Sequence, residues 1–556
     1  MMGKKNFTVL SQALCMTLSL VMFTHNALAD QQADLKTWSS VKEQEIAIWK
    51  SMRKQALLEL KRSMTKQEME NWESVKEQEI AKWRSTREQM LEEARRKWEN
   101  GGVATTPGAA AVDQPGGILP AFPGAEGFGA LSKGGRGGRV IEVTNLNDSG
   151  SGSFRAAVEA SGPRIVVFRT GGTIDLDSNV EITDPYLTIA GQTATGDGIQ
   201  IRGAGLRIGT HDVIVRYIRF RRGNQGPGGS NSRRGLMLYH SSDLVHDIII
   251  DHSSFGWQQD DNNIYGRTDD ITYQWNIFAE ANSPSGDYDG DDGKGLMMGN
   301  SAGEGDALGD VSIHHNLLHS NFMRNPNMYG DGPIHLVNNV IYNWGMFGSQ
   351  VLNRGNGTRV NVIGNTYVAG PDSSASRYEF NIQSHVGGSG NYEQPPGLIY
   401  VHDNFGPHRD SASDDEWAFV GICDWAISSA HCVNPAPQNL QRSIPWPAAP
   451  ISVTIQPAAE ALQSVIDNAG ATLPTRDAVD TRLINEFKDR TGSLGGTNEW
   501  PFLAQGTPRQ DTDHDGMPDT WETVHGLDPS STADGSQTAP SGYTWVEEYL
   551  HSLAGS

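Results

Sequence analysis

The stretch DTDHDGMPDTWE near the end of the chain has acidic residues at the spacing of a calcium-binding loop. Counted from its first residue, carboxylates fall at loop positions 1, 3, 5, 9 and 12, and Gly516 is at position 6. These acids are Asp511, Asp513, Asp515, Asp519 and Glu522. Ca2+ takes six to eight oxygen ligands, which the five carboxylates and the Met517 carbonyl can supply. The sequence therefore predicts a small EF-hand-like calcium module over residues 506–556.

Short β-branched runs recur between polar, Gly-rich loops from Leu119 to about residue 410. They begin at Val213, Ile248, Ile271, Val311, Ile334, Val360 and Ile399. Several are about 23 residues apart, which is one coil of a parallel β-helix. An asparagine follows five of the runs in the same place, and stacked asparagines suit a coil corner. They are Asn276, Asn316, Asn339, Asn365 and Asn404. The sequence predicts an all-β fold, a parallel β-helix, over residues 119–505.

Residues 451–500 return to helical spacing. We expect this segment to form helices that cap or wrap the end of the solenoid.

Several motifs in the solenoid region occur in the order found in polysaccharide lyase family one, the pectate lyases. They are AFPGAEGFGALSKGGRGGRVIEVTNLNDSGSGSFRAAVEA, TIAGQT, IIIDHSSFGW, SIHHNLL and RNP, at Ala121, Thr188, Ile248, Ser312 and Arg324. The chain resembles that family from Leu119 to Phe487. The resemblance implies a right-handed parallel β-helix that cleaves a pectate-like acidic polysaccharide by β-elimination, with Ca2+ as cofactor.

β-Elimination needs a base for the weakly acidic C5 proton of a uronate, and cations for the charge that develops. By the resemblance, Arg324 is the base and Lys294 binds substrate. The family pattern R-x-P-x-x-R expects a second arginine, but this chain has Tyr329 there. One substrate carboxylate contact is therefore in doubt. For Lys294, a solvated ion pair with Asp291 or Asp292 is the alternative.

The family's active-site calcium is held by acids on consecutive coils, and the resemblance implies Asp260 and Asp261 as ligands here. The acidic loop SGDYDGDDG, ahead of Lys294, can supply a further ligand in Asp287. The segment aligned with the preceding coil has Arg233 and Arg234 near the family's acidic positions. A guanidinium from one of these can replace the metal, as in the related calcium-independent pectin lyases. Both alternatives stay open at this stage.

Three histidines lie in motifs of the family, but we assign them no catalytic role. They are His252, His314 and His315. Their places match structural positions in the family's DH and HHN motifs.

The first 118 residues differ from the rest in composition. Residues 1–29 have the basic start, the apolar run and the Ala27-Leu28-Ala29 end of a cleaved signal peptide, which predicts a secreted or periplasmic protein. Residues 30–100 carry a helical, coiled-coil-like repeat of about 34 residues. This segment is either a self-association stalk or a solvated helix. Residues 101–118 have the composition of a linker.

The chain of 556 residues has 44 Lys and Arg against 66 Asp and Glu, a formal net charge of −22. This charge argues against nucleic acid as a partner. After the signal peptide the sequence has no apolar stretch of about 20 residues, so we expect no transmembrane span. Two cysteines remain there, Cys423 and Cys432, and we expect a disulfide between them if the compartment is oxidising.

Three classes of function compete at this stage. The first is a pectate lyase, or its calcium-independent pectin lyase variant. The second is a noncatalytic β-helix that only binds polysaccharide, an alternative that the missing second arginine supports. The third is a β-helix hydrolase, which needs paired carboxylates and leaves no double bond in its product.

Overall fold

The computed structural model describes residues 119–555 apart from nine internal gaps. The gaps are 224–232, 283–292, 300–307, 331, 353–357, 375–377, 385–397, 425–431 and 434–440. The predicted signal peptide, helical repeats and linker lie outside the described residues. Asp287, a predicted calcium ligand, also lies outside the described residues.

The described part has 28 strands and five α-helices. The first ten strands are β1 (Arg139–Val143), β2 (Arg164–Phe168), β3 (Gly172–Asp175), β4 (Val180–Ile182), β5 (Leu187–Ala190), β6 (Ile199–Arg202), β7 (Leu206–Ile208), β8 (Val213–Arg216), β9 (Arg219–Arg221) and β10 (Leu236–Leu238). The next ten are β11 (Val245–Asp251), β12 (Ser254–Gly256), β13 (Asn262–Ile264), β14 (Thr268–Gln274), β15 (Ile277–Ala279), β16 (Leu296–Met298), β17 (Val311–His314), β18 (Leu317–His319), β19 (Asn327–Met328) and β20 (Pro333–Val337). The last eight are β21 (Val340–Tyr342), β22 (Ser349–Leu352), β23 (Arg359–Ile363), β24 (Thr366–Val368), β25 (Phe380–Ser384), β26 (Ile399–His402), β27 (Val420–Asp424) and β28 (Cys432–Val433). The helices are α1 (Phe154–Val158), α2 (Ala458–Asn468), α3 (Ala478–Asp489), α4 (Asp519–His525) and α5 (Trp545–Leu553).

The strands form three sheets, and within each sheet nearly every neighbouring pair is parallel. The first sheet has the order β1-β2-β5-β8-β11-β14-β17-β20-β23-β26. The second has the order β28-β27-β25-β22-β19-β16-β13-β10-β7-β4, and the third β24-β21-β18-β15-β12-β9-β6-β3. Neighbours within a sheet come from successive coils of the chain, so the predicted parallel β-helix is confirmed.

The hydrophobic core fills the space between the three sheets. In β11, Ile248 and Ile250 are buried in this core, whereas Ile249 lies in a separate cluster outside the first sheet. The alternation follows from strand geometry, because successive side chains point to opposite faces. Isoleucine and valine suit the interior positions, since branched side chains pack well on a pleated surface.

The five predicted asparagines form a continuous ladder inside the solenoid. The Nδ2 of Asn276 donates to Oδ1 of Asn316 at 3.0 Å, and the contact repeats from Asn316 to Asn339, Asn339 to Asn365 and Asn365 to Asn404. Each Oδ1 also accepts the backbone N–H of the preceding asparagine in the ladder. A buried amide that loses its hydrogen bonds destabilises the fold, so a shift between coils is unfavourable. The ladder therefore fixes the position of each coil on the next.

Other segments cover the outer faces of two sheets. Residues around Phe122 and Phe128 cover the middle of the first sheet, and the C-terminal module covers β2 and β5. Helices α2 and α3 pack on the third sheet through Val465, Leu483 and Phe487. We predicted that these helices cap or wrap the end of the solenoid, but they lie along its side. Their apolar stripes match the apolar outer face of β15, β18 and β21.

The last strand, β28, runs antiparallel to β27, with Cys432 in register with Cys423. Directly opposed residues in an antiparallel pair have Cα atoms close enough for a disulfide, so the backbone supports that pairing. The disulfide itself stays a prediction. In the described part, every helix is too short or too polar to cross a bilayer.

Replacing Asn339 with Ala should destabilise the protein by about 3–5 kcal/mol, because it leaves several buried polar groups without partners. Its Nδ2 donates to the Ile313 and Val337 carbonyls as well as to Asn365. Urea denaturation measures the loss. Asn468→Ala, at an exposed helical asparagine, is the control and should change stability little. Equal stability of the two variants would contradict a structural role for the ladder.

The buried His335 predicts a pH dependence of stability. Its ring lies 4.8 Å from that of Phe128, and burial lowers its pKa to about 4. The unfolded chain takes up this proton near pH 6.5, so the stability contributed by neutral His335 is present above pH 6.5 and is lost as the pH falls to about 4. His335→Gln should flatten the pH dependence in this window by up to about 1.4 kcal/mol per pH unit. Denaturant unfolding at several pH values measures both proteins, and identical slopes would refute the assignment.

Candidate active site

Four successive coils each place a charged residue just before their strand in the second sheet. Arg234, Asp260 and Lys294 lie two residues before β10, β13 and β16, and Arg324 lies three residues before β19. Because these strands stack in register, the four residues form one column across the coils. We call Arg234, Asp260, Asp261, Lys294 and Arg324 the charged column.

The two carboxylates of the charged column share three cationic neighbours. Arg234 bridges them, with Nη2 at 2.9 Å from Asp260 Oδ2 and Nε at 3.1 Å from Asp261 Oδ1. Lys294 Nζ lies 3.7 Å from Asp260 Oδ1, and Arg324 Nη1 pairs with Asp261 Oδ2. The five charged groups are therefore linked in one network of ion pairs.

The two acids are buried, and the two arginines are partly open to solvent. The side chain of Asp261 is fully buried, whereas those of Arg234 and Arg324 are 22% and 20% exposed. Burial, followed by repulsion from Asp261, raises the pKa of Asp260 to about 6, and the three cations oppose this rise. Among the five residues of the charged column, the groups most open to solvent are therefore the two guanidinium groups.

Arg324 is held by its backbone as well as by its side chain. Its φ is 63°, in the left-handed region that branched and bulky residues avoid. Its N–H donates to Oε1 of Gln350 on the next coil at 3.2 Å. Backbone strain of this kind is common where a side chain must point in one direction for function. No sequence motif indicates Gln350, because its contact with Arg324 depends on the register between two coils.

The loop of Asp260 and Asp261 is anchored from two directions. Gln258 Nε2 donates to the Lys294 carbonyl at 2.9 Å, which ties the acid-bearing coil to the next one. Trp257 is buried, and its Nε1 donates to Glu280 at 2.8 Å. Glu280 in turn forms a salt bridge at 2.7 Å with Arg482 of α3. Helix α3 therefore helps to position the charged column from the far side of the coil.

The structure brings together four of the five active-site residues that the sequence predicted. Arg324, Lys294, Asp260 and Asp261 are in contact, and the fifth, Asp287, lies outside the described residues. Arg234, which was the predicted alternative to calcium, is the residue that contacts both acids. Tyr329 follows β19 and is half-buried.

The three histidines of the family motifs lie on the first sheet and away from the charged column. His252 pairs with Asp251 at 2.8 Å and stacks on Tyr217 and Trp275. Burial lowers the pKa of both His314 and His315, the latter to about 4. His314 and His315 are buried, and the ring of His315 also stacks on Trp275, so both side chains contribute to packing.

The acids of the C-terminal loop divide into two groups. Asp513, Asp515 and Glu522 converge, and Asp534 from a later turn joins them. Burial, followed by repulsion among these acids, raises the pKa of Asp515 to about 7 and that of Glu522 to about 8. The other two predicted ligands lie elsewhere, because Asp511 pairs with Arg169 at 3.3 Å and Asp519 accepts two hydrogen bonds from Thr512.

Known proteins with similar sequences are described as probable pectate lyases. No protein-family model matches the chain. A probable pectate lyase C of Aspergillus fumigatus is 36% identical over 458 residues, which cover 80% of this chain and 97% of that protein. A probable pectate lyase C of Neosartorya fischeri is 35% identical over 460 residues, with the same coverage. The crystal structure of the cedar pollen allergen Jun a 1 is 17% identical, with a TM-score of 0.45, and covers 62% of this chain and 92% of its own. From the extent of its identity to these curated relatives, the chain belongs to the pectate lyase family.

Proposed function

We propose that this protein is a pectate lyase that cleaves a polygalacturonate-like polysaccharide by β-elimination at the charged column. The observation that carries the proposal is that Arg234, Lys294 and Arg324, just before strands of the second sheet, converge on two buried acids. Three guanidinium or ammonium groups so close together suit a polymer with a carboxylate on every sugar. The net charge of −22 would otherwise repel such a polymer.

In the proposed reaction, Arg324 first gives a proton to water, and its neutral guanidine then takes the C5 proton of a uronate. The electron pair of the broken C5–H bond forms the C4–C5 double bond, the bond from C4 to the glycosidic oxygen breaks, and that oxygen takes up a proton from water. Negative charge develops on the substrate carboxylate during proton removal. Lys294 and Arg234 would offset this charge from fixed positions, which lowers the barrier without reorganisation.

The acid pair favours elimination over hydrolysis. A hydrolase needs one carboxylate to protonate the leaving oxygen and another to activate water or attack, on opposite sides of the bond. Asp260 and Asp261 are neighbours in sequence, and Arg234 bridges both. Two acids bound to the same guanidinium group suit a role in positioning the cations.

Two candidates exist for the cation that faces Asp260 and Asp261, and the contacts favour Arg234. Among the described residues, Asp260 and Asp261 already contact three cations, so an added Ca2+ would lie beside groups of like charge. The competing proposal is the predicted calcium ion, held by Asp260, Asp261 and Asp287. Bound there, it would supply a point of positive charge for the substrate carboxylate, but it would have to displace Arg234 from both acids.

Calcium is also a proposed cofactor of the C-terminal loop. The chain's proposed setting is secreted or periplasmic, which rests on the predicted signal peptide. Its proposed partner is the acidic polysaccharide, and self-association through residues 31–100 stays a prediction.

Arg324→Lys should lower the initial rate on polygalacturonate by about 100- to 10,000-fold, the usual contribution of a positioned base. A lysine has a different reach and lacks the planar fork of the guanidinium. The rate is followed by the ultraviolet absorbance of the unsaturated product. The matched control is Arg267→Lys, because Arg267 is exposed and contacts the Ser242 carbonyl. A near-normal rate for Arg324→Lys would place the base elsewhere.

Wild-type product without ultraviolet absorbance would indicate hydrolysis. Binding of polygalacturonate without any turnover would indicate the noncatalytic alternative.

Arg234→Gln and a calcium chelator distinguish the two candidates for the cation. If Arg234 supplies the charge, Arg234→Gln should lose at least about tenfold in rate, while wild-type enzyme keeps its rate in chelator as long as it stays folded. If calcium supplies it, chelator should abolish wild-type turnover and calcium should restore it. Circular dichroism recorded at the assay temperature separates loss of chemistry from loss of fold.

A further inference from the structure

Four carboxylates in the C-terminal module converge on a small buried space. One oxygen each of Asp513, Asp515, Glu522 and Asp534 lies within 4.8 Å of the others. Glu522 is fully buried, and Asp515 and Asp534 are at most 6% exposed. Like charges this close repel strongly in a buried setting.

Each of these acids leaves at least one oxygen without a partner. Asp513, Asp515 and Asp534 each use one oxygen to accept a backbone N–H, from Asp515, Met517 and Asp528 respectively. The second oxygen of each, and both oxygens of Glu522, are buried and accept no hydrogen bond. Five unpartnered carboxylate oxygens in one place have the composition of a Ca2+ coordination shell, which backbone oxygens complete.

The turn that carries Asp534 packs closely against the acidic loop. A Cβ on the neighbouring Gly535 would lie 2.5 Å from Asp515 Oδ2, which leaves no room for a side chain. Gly535 also accepts the N–H of Val546 at 3.1 Å, at the start of α5. The glycine therefore lets the turn close over the loop and joins it to the last helix.

The loop and α5 together form the surface that packs on the β-helix. Met517 comes from the loop, and Val546 and Leu550 come from α5. All three pack against Ile165 and Val167 of β2. The contact is completed by two polar pairs, Arg169 with Asp511 at 3.3 Å and Arg136 with Glu547 at 2.9 Å.

From these contacts we infer that Asp513, Asp515, Glu522 and Asp534 bind one Ca2+ that locks the C-terminal module onto the first coils of the β-helix. The ion joins the loop that carries Met517 to the turn that holds α5, so both halves of the packed surface depend on it. Asp519, the acid at loop position 9, takes no part, and Asp534 replaces it. The inference specifies the calcium proposed for this loop, and it stands or falls independently of the lyase activity.

The test compares Asp534→Asn with Asp519→Asn in the full chain. We expect calcium to raise the melting temperature of wild type and of Asp519→Asn equally, and to bind Asp534→Asn at least about tenfold more weakly. Hydrogen exchange at residues 164–168 and 187–190 should speed up on chelation in wild type, and should be fast at ordinary calcium levels in Asp534→Asn. Initial rates on polygalacturonate, measured while each protein is folded, should stay within about twofold.

Three results would overturn the inference. In the first, Asp519→Asn loses calcium response while Asp534→Asn keeps it, which restores the EF-hand ligand order. In the second, calcium changes neither melting temperature nor hydrogen exchange in wild type. In the third, calcium stabilises the protein but protection of β2 and β5 does not depend on it, so the ion does not lock the module. A wild type that shows the calcium response but no lyase activity would refute the proposed function alone.

Discussion

The rest of the structure depends on the hydrogen bonds that set each coil upon the next. In the asparagine ladder, each of the first four amides donates to the amide of the following asparagine, which fixes the alignment of these coils inside the solenoid. A slip between coils would leave these buried groups unpaired, at a cost of about 1–3 kcal/mol for each one. The ladder spans the coils that carry Lys294 and Arg324, and the Ser253 N–H, which donates to Oδ1 of Asn276, extends it to the coil of Asp260. Residues up to 90 positions apart in sequence thus form one site, because similar contacts recur between successive coils.

The charged column also changes how the molecule meets an anionic polymer. Most of the surface repels such a polymer, because acids exceed bases by 22 over the whole chain. At the column, the acids are buried and the arginines face outwards. Surface charge at long range is screened by salt within about 8–10 Å, whereas contacts at the column act at closer range. Binding should therefore be determined locally, where the carboxylates of the polymer meet the guanidinium groups.

Sequence alone predicted the coil architecture, because its signals repeat: branched runs at coil spacing and one asparagine in each of five coils. It also singled out Arg324, Lys294, Asp260 and Asp261 from short motifs; the structure brings these four residues together, and their roles stay predictions. It could not decide between Arg234 and calcium, because that choice depends on which side chains meet between coils. It placed α2 and α3 at the wrong surface, since an amphipathic pattern does not specify which partner it covers. Asp534 was missed because it joins the acidic loop across a turn, beyond the span of any loop motif.

The antiparallel pair β27 and β28 has a consequence for the end of the solenoid. A stack of parallel coils presents an open row of backbone donors and acceptors at its last strand, on which a second molecule could continue the stack. In the second sheet, the final described strand, β28, runs antiparallel to its neighbour. A further parallel coil would therefore not find at β28 the strand direction that the preceding coils offer. At this edge, the reversal removes the template for adding another coil in the same way.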